Sequence, residues 1–232
     1  MIYAGNFKTN HTRKSTREYL MKMQLHHHKI RANGDRIIIF PPLTAIDGYD
    51  VDFTVGVQNA YPANSGAFTG EVGLEQLSEF DIKTILIGHS ERREILGESQ
   101  EFVAKKFDFF KENGFEIIYC IGEPLEVREK GDSAVMDYLL AQFDGIDTNY
   151  DNFIVAYEPI WAIGTGRSAT TQEIETTHNA LKEKINKPIL YGGSVKGDNI
   201  ASIALIESVD GVLVGGASLK TDTFLELVFH KN

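Results

Sequence analysis

The stretch Ala156-Tyr157-Glu158-Pro159-Ile160-Trp161-Ala162-Ile163-Gly164-Thr165-Gly166 decides the fold. The run that leads into it is apolar on both alternating faces, with Phe153, Val155 and Tyr157 on one and Ile154 and Ala156 on the other. A strand of that kind is covered on both sides, as strands of a parallel α/β sheet are. Glu158 falls where the strand ends. The carboxyl ends of strands form the active-site mouth in such architectures, so this carboxylate reads as a catalytic candidate. Pro159 removes a ladder N–H and stops the strand. Trp161, Ala162 and Ile163 are apolar in a loop, and Gly164 and Gly166 give its far end backbone freedom. That is the composition of a hinged lid packing over a site.

Outward from this stretch, strand-like runs alternate with amphipathic segments along the whole chain. The runs are 2–7, 36–40, 53–58, 84–88, 115–121, 153–158, 188–191 and 211–214. Helical candidates between them include 15–30, 98–113, 133–143, 171–185 and 223–229, with a short one at 43–49. Such alternation implies a parallel sheet with right-handed crossovers, and eight units favour a closed (β/α)8 barrel. The 232 residues suit one barrel, which needs roughly 200 or more, so one domain over 1–232 is expected. Residues 60–73, opening on Ala60 and holding Pro62, Gly66, Gly70 and Gly73, have no periodicity. A loop that long is usually functional. With Phe68 at its centre and Thr69-Gly70-Glu71 following, it reads either as a contact with another subunit or as a surface loop.

The net charge of -10 disfavours nucleic-acid and anionic membrane partners, so any anionic substrate must be held by local positive groups. Cys120 is the one cysteine, which excludes an internal disulfide and fits a reducing compartment. No basic-then-apolar leader and no apolar stretch of about 18 residues occurs, and a cytoplasmic protein is expected. His26-His27-His28 invites a metal reading, but three successive helical residues point three ways and cannot share an ion. A solvated helix end suits them better.

Strand ends hold the remaining candidates. Gly5-Asn6-Phe7-Lys8 sets Asn6 and Lys8 on one side of the first strand and Phe7 on the other. His89, in Gly88-His89-Ser90-Glu91-Arg92-Arg93, sits where a strand passes into a helical turn, and backbone N–H groups beneath its ring favour neutral imidazole. Tyr191-Gly192-Gly193-Ser194 and Val214-Gly215-Gly216-Ala217-Ser218 place paired glycines after successive strands. There the backbone can approach a ligand and offer N–H groups to a phosphate.

These five segments, in this order and spacing, resemble the triosephosphate isomerase family, and the resemblance runs from Ile2 to Leu219. It implies a single (β/α)8 TIM barrel that interconverts dihydroxyacetone phosphate and D-glyceraldehyde 3-phosphate through an enediolate, with no cofactor and no metal. Glu158 would be the base, His89 the neutral electrophile, Lys8 the cation facing the phosphate and enediolate, and Asn6 a hydrogen-bond partner of the substrate oxygens. Backbone groups of Gly164, Ser194, Gly215 and Gly216 would grip the phosphate. Glu91 would orient Lys8, Ser90 would hold Glu158 before the lid closes, and Tyr191, Gln58 and Cys120 would support the site. The resemblance also implies a homodimer, with the 60–73 loop inserted beside the neighbour's site and Thr69 near its tip. Phe7 and Thr9 depart from the usual Trp and Met, changes of packing more than of chemistry. The alternatives are another sugar-phosphate isomerase or a silent barrel serving as a binding protein. A silent barrel would be expected to lack Glu158, His89 or Lys8, and a Schiff-base aldolase would need a strand-interior lysine.

Overall fold

The structure, a computed structural model, describes residues 1–163 and 168–230. Its eight strands are β1 (Ile2–Asn6), β2 (Arg36–Phe40), β3 (Thr54–Val55), β4 (Thr84–Ile87), β5 (Glu116–Ile121), β6 (Phe153–Tyr157), β7 (Ile189–Tyr191) and β8 (Gly211–Val214). All pair in parallel, in the order β3-β2-β1-β8-β7-β6-β5-β4. A bridge from Val57 to Ile85 closes the circle, with the Val57 N–H on Thr84 O at 2.9 Å and the Leu86 N–H on Val57 O at 3.0 Å. The result is the expected (β/α)8 barrel.

Period two along each strand sorts side chains into two cores. Ala4, Ile38, Phe40, Leu86, Ile118, Cys120, Ile154, Ala156, Leu190 and Leu213 fill the barrel. Their alternating neighbours, among them Tyr3, Ile37, Ile85, Ile117, Tyr119, Val155, Tyr157 and Val212, face the helices. Each fully buried Ile, Leu or Phe contributes about 1.5–3 kcal/mol, so this two-sided burial carries the fold. Gly56 makes room for Phe40: a Cβ there would lie 2.4 Å from the ring. At the amino-terminal end of the barrel Arg36 meets Glu116 in a two-pronged pair at 2.6 and 2.7 Å, with Thr84 donating to the same carboxylate at 3.3 Å.

The helices are α1 (Arg13–Ala32), α2 (Leu74–Ser78), α3 (Ser90–Glu94), α4 (Gln100–Glu112), α5 (Leu125–Arg128), α6 (Asp132–Ala141), α7 (Thr171–Lys184), α8 (Ile200–Ala204) and α9 (Thr221–Val228). The expected helix at 43–49 is a single 3-10 turn, Leu43–Ala45. Beyond it Asp47 binds its neighbour's backbone at Gly48 and the Tyr49 hydroxyl takes the Ala45 carbonyl, which leaves no helical ladder to continue.

The three histidines of α1 diverge as geometry requires. His26 packs edge-on against Phe229, His27 tilts against Phe53, and His28 is exposed. Among the described residues no cluster of His, Cys, Asp or Glu could hold a metal ion, and no helix is long and apolar enough to cross a membrane. The 60–73 loop is built rather than loose. Tyr61 and Leu74 hydrogen-bond back to Val72 and Ala63 at 2.8 and 2.9 Å, and the Tyr61 and Phe68 rings lie 4.2 Å apart.

Candidate active site

The interior-facing row of β1 ends at Asn6 and that of β6 continues one residue past the strand to Glu158, which brings polar groups into the barrel mouth. Glu158 is 2% exposed. Gly192 leaves the space its side chain needs, since a Cβ there would stand 2.8 Å from Glu158 Cγ. On β4 the interior row ends at Gly88, whose φ of 75° turns the chain and delivers His89 as the N-cap of α3. Arg93 holds that turn by donating from Nε to Gly88 O at 2.8 Å. Arg92 pairs instead with Glu98, so neither arginine is spent on the catalytic cavity.

His89 Nε2 lies 3.1 Å from Glu158 Oε1, and the Ser90 N–H donates to Glu158 Oε2 at 3.0 Å. Burial is the largest influence on Glu158 and opposes ionisation. His89, the Ser90 N–H and Lys8 together outweigh it and hold the carboxyl below the usual range. Burial likewise opposes charge on His89, while the facing Glu158 carboxylate more than offsets it and raises the imidazole's pKa. The tautomer is fixed by a different contact. The Glu91 N–H donates to His89 Nδ1 at 3.2 Å, so Nδ1 is an acceptor and the ring proton lies on Nε2, donated to Glu158. A second proton on Nδ1 would face that N–H, and we assign the neutral ring on this ground.

Lys8 adopts a left-handed φ of 51° and extends Nζ to Glu91 Oε1 at 2.6 Å. Its N–H donates to Asn6 Oδ1 at 3.0 Å, which identifies the amide oxygen and turns the Asn6 NH2 to the other side. Gln58 Nε2 braces the same loop on Lys8 O and Phe40 O, each at 2.9 Å. Cys120 lies in the barrel beneath Glu158, where burial foremost and then the Glu158 charge push its thiol well up.

One cavity of about 390 Å³ is lined by Asn6, Lys8, His89 and Glu158 on one side and by Ser194, Gly215 and Gly216 on the other. Among the described residues the N–H groups of Ser194, Gly215 and Gly216 meet no acceptor. They border the cavity together with the Lys8 side chain, whose Cε would be 3.4 Å from a Cβ on Gly215. An acidic protein thus offers an anion several backbone dipoles and the Lys8 ammonium, with Lys196 also on the cavity wall. The Tyr191 hydroxyl is buried beside Ala169; burial raises its pKa and the Ala169 backbone tempers the rise. Gly164 and Gly166, expected from the sequence to form the far end of a lid, lie outside the described residues.

The segment that follows Glu158 shows what sequence reasoning missed. Residues Ile160–Ala162 form a 3-10 turn, and Trp161 Nε1 donates to Glu123 Oε1 at 2.9 Å. Glu123, fully buried, also receives Arg128 at 2.6 Å and the Tyr157 hydroxyl at 3.1 Å. The signal was present: Gly122-Glu123-Pro124 repeats, at the end of β5, the carboxylate-proline pattern of Glu158-Pro159. A second hollow of about 540 Å³ adjoins the first, lined by Lys8, Leu43, Gln58, His89, Glu91 and Leu96 among others.

Comparison with known proteins agrees with this geometry. The family model described as triosephosphate isomerase matches residues 1–231. A protein of Sulfurovum sp. (strain NBC37-1) named triosephosphate isomerase is 63% identical over 229 residues, covering 99% of this chain and 100% of its own length. Proteins of the same name from Wolinella succinogenes and Campylobacter concisus are 55% and 52% identical, each covering 98% of this chain and 99% and 98% of their own. The chain belongs to the triosephosphate isomerase family.

Proposed function

We propose that the chain, acting over 1–232 as one catalytic domain, interconverts dihydroxyacetone phosphate and D-glyceraldehyde 3-phosphate by proton transfer through an enediolate. The observation that carries this reading is the convergence of a buried carboxylate, a neutral imidazole N–H and an ammonium on one cavity whose far wall is backbone N–H groups. The phosphate would lie against Ser194, Gly215 and Gly216 with Lys8 beside it. That leaves the carbonyl near His89 Nε2 and the Asn6 amide.

In the resting arrangement the Glu158 carboxylate occupies the His89 Nε2–H and the Ser90 N–H. A substrate carbonyl that takes the imidazole donor displaces it. The carboxylate then loses the groups that held its pKa down while its burial persists, so it becomes a stronger base as it reaches the substrate carbon. It removes a proton next to the carbonyl; negative charge on oxygen is met by His89, Asn6 and Lys8; the proton is returned to the adjacent carbon. A glutamate base, a neutral histidine and a closing loop are the established pattern of triosephosphate isomerases, and the residues of this chain fit it. Closure of a loop after Glu158, which the family resemblance implies, would exclude water and guard the enediolate against loss of phosphate.

A cytoplasmic homodimer completes the reading. The tip of the 60–73 loop, with Phe68 42% exposed, would fill a neighbour's second hollow beside Lys8 and His89, where Leu43 and Leu96 are exposed at 38% and 63%. The test is turnover of both triose phosphates by the purified chain and by Glu158→Gln. Loss of a positioned base lowers the rate by roughly two to four powers of ten and leaves phosphate affinity intact. Parent-like turnover by the variant would sink the assignment.

A further inference from the structure

His11 is drawn into no role by the family motifs, and its backbone sits at φ 72°, a conformation that L side chains rarely adopt. What the strained position achieves is a cross-tie. The ring is half-buried, its centroid 4.5 Å from that of Phe7 and 5.8 Å from that of Tyr19. Nε2 lies 3.0 Å from Leu219 O and Nδ1 lies 3.1 Å from Ser15 Oγ. A carbonyl can only accept, so Nε2 carries a proton and donates to Leu219, while Nδ1 stays within hydrogen-bond reach of Ser15 Oγ.

The two ends of this tie belong to the two loops that would hold the phosphate. Upstream of His11, Asn10 hydrogen-bonds to Phe7 O through both its backbone N–H at 3.0 Å and its side chain at 2.9 Å, closing the turn that presents Lys8. Downstream, Leu219 ends the 3-10 turn Gly216–Ser218; its N–H donates to Gly216 O at 3.2 Å, and Ser218 Oγ donates to Gly215 O at 2.7 Å. Nothing else in the 7–11 turn makes a side-chain hydrogen bond to this turn among the described residues.

We propose that His11 is a positioning residue that sets the width of the phosphate clamp, by fixing the Lys8 loop against the Gly215–Gly216 loop through its Nε2–H···O=C bond to Leu219. The inference rests on the reading of the cavity as a triose phosphate site. Its chemistry is specific: the tie should matter for dianion affinity, and not for the proton-transferring pair Glu158 and His89, which other elements hold.

Competitive inhibition by inorganic phosphate tests it in the purified full chain. His11→Phe keeps a ring against Phe7 but has no donor. One lost hydrogen bond predicts a rise of about two- to tenfold in both the phosphate Ki and the substrate KM. His11→Gln, which restores an N–H donor, should bring both back toward the parent. Should His11→Phe fail to fold, His11→Gly suits the left-handed backbone and must show the same loss. A phosphate Ki unchanged in His11→Phe or His11→Gly, whatever happens to melting temperature, overturns the proposal and leaves the ring a packing group. Absence of isomerase activity in the parent would instead fault the functional reading, so the two failures are distinguishable.

Discussion

Acidification should weaken this fold through one buried ring, His178. The side chain is fully buried behind β6 and β7, its ring 5.7 Å from Tyr157 and 6.3 Å from Tyr191, with Nδ1 3.2 Å from Ser208 O. Burial lowers its pKa to about 4 from an ordinary 6.5, and the Ser208 carbonyl offsets only part of that. The folded state thus binds the proton less readily than the unfolded chain. Above 6.5 neither state is protonated and the full stability is present. As pH falls from 6.5 to about 4 the unfolded chain gains a proton that the folded one refuses, and stability drops. The slope approaches the limit of one proton per molecule, so the full window removes about 3 kcal/mol and pH 5 about 2 kcal/mol. Urea unfolding at one fixed protein concentration, at half-unit steps from pH 7.5 to 4.5, measures this in the parent and in His178→Asn. The asparagine amide can stand in for Nδ1–H toward Ser208 but does not titrate. The variant is expected to start less stable, through the lost ring, and to run flatter with pH by about 1 kcal/mol per unit below 6.5. Parallel pH profiles would refute the assignment of the acid sensitivity to His178.

Glu123→Ala removes the buried carboxylate under Trp161 and leaves the half-buried Arg128 with Asp132, at 3.5 Å, as its acidic partner; loss of a charge-assisted hydrogen bond of this kind costs about 1.5–3 kcal/mol, to be read from urea unfolding. Because Trp161 is the single tryptophan, its emission should shift in the same variant, and an unshifted spectrum would show that Glu123 does not set its environment. Thr69→Arg puts a charge at the tip of the 60–73 loop and should convert a sedimenting dimer to monomer at micromolar concentration with loss of activity. A parent that sediments as a monomer contradicts the proposed assembly.

Hydrophobic period is informative wherever the chain is regular. The alternation in β1 and β6 is what aims Asn6 and Glu158 inward, so those residues are legible from strand-end position alone, and the glycines after β7 and β8 are legible from their pairing. His89 is marked by its place before a helical turn, and the neutral ring follows, though the raised pKa imposed by Glu158 is a tertiary effect that no local pattern contains. The short helices α2, α5 and α8, of five, four and five residues, fall below the length at which a 3.6-residue period can be seen. Residues 43–49 mislead for the opposite reason: an apolar spacing compatible with helix is overridden by the Asp47-Gly48 turn. Glu123 is marked in the sequence only by its carboxylate-proline pattern; Arg128 lies one short helix away, but Tyr157 and Trp161 are brought to it by the pairing of β5 with β6, which no local pattern contains. His11 carries no motif, and its left-handed backbone is invisible without coordinates.

Glu158 moving a proton at carbon is the central step, and isotope exchange tests it directly. Dihydroxyacetone phosphate incubated with the protein in heavy water should acquire deuterium next to the carbonyl, in recovered substrate and in glyceraldehyde 3-phosphate, and Glu158→Gln should slow its appearance along with turnover. Turnover by the parent with neither compound labelled, or labelling at parent rates in Glu158→Gln, would contradict it.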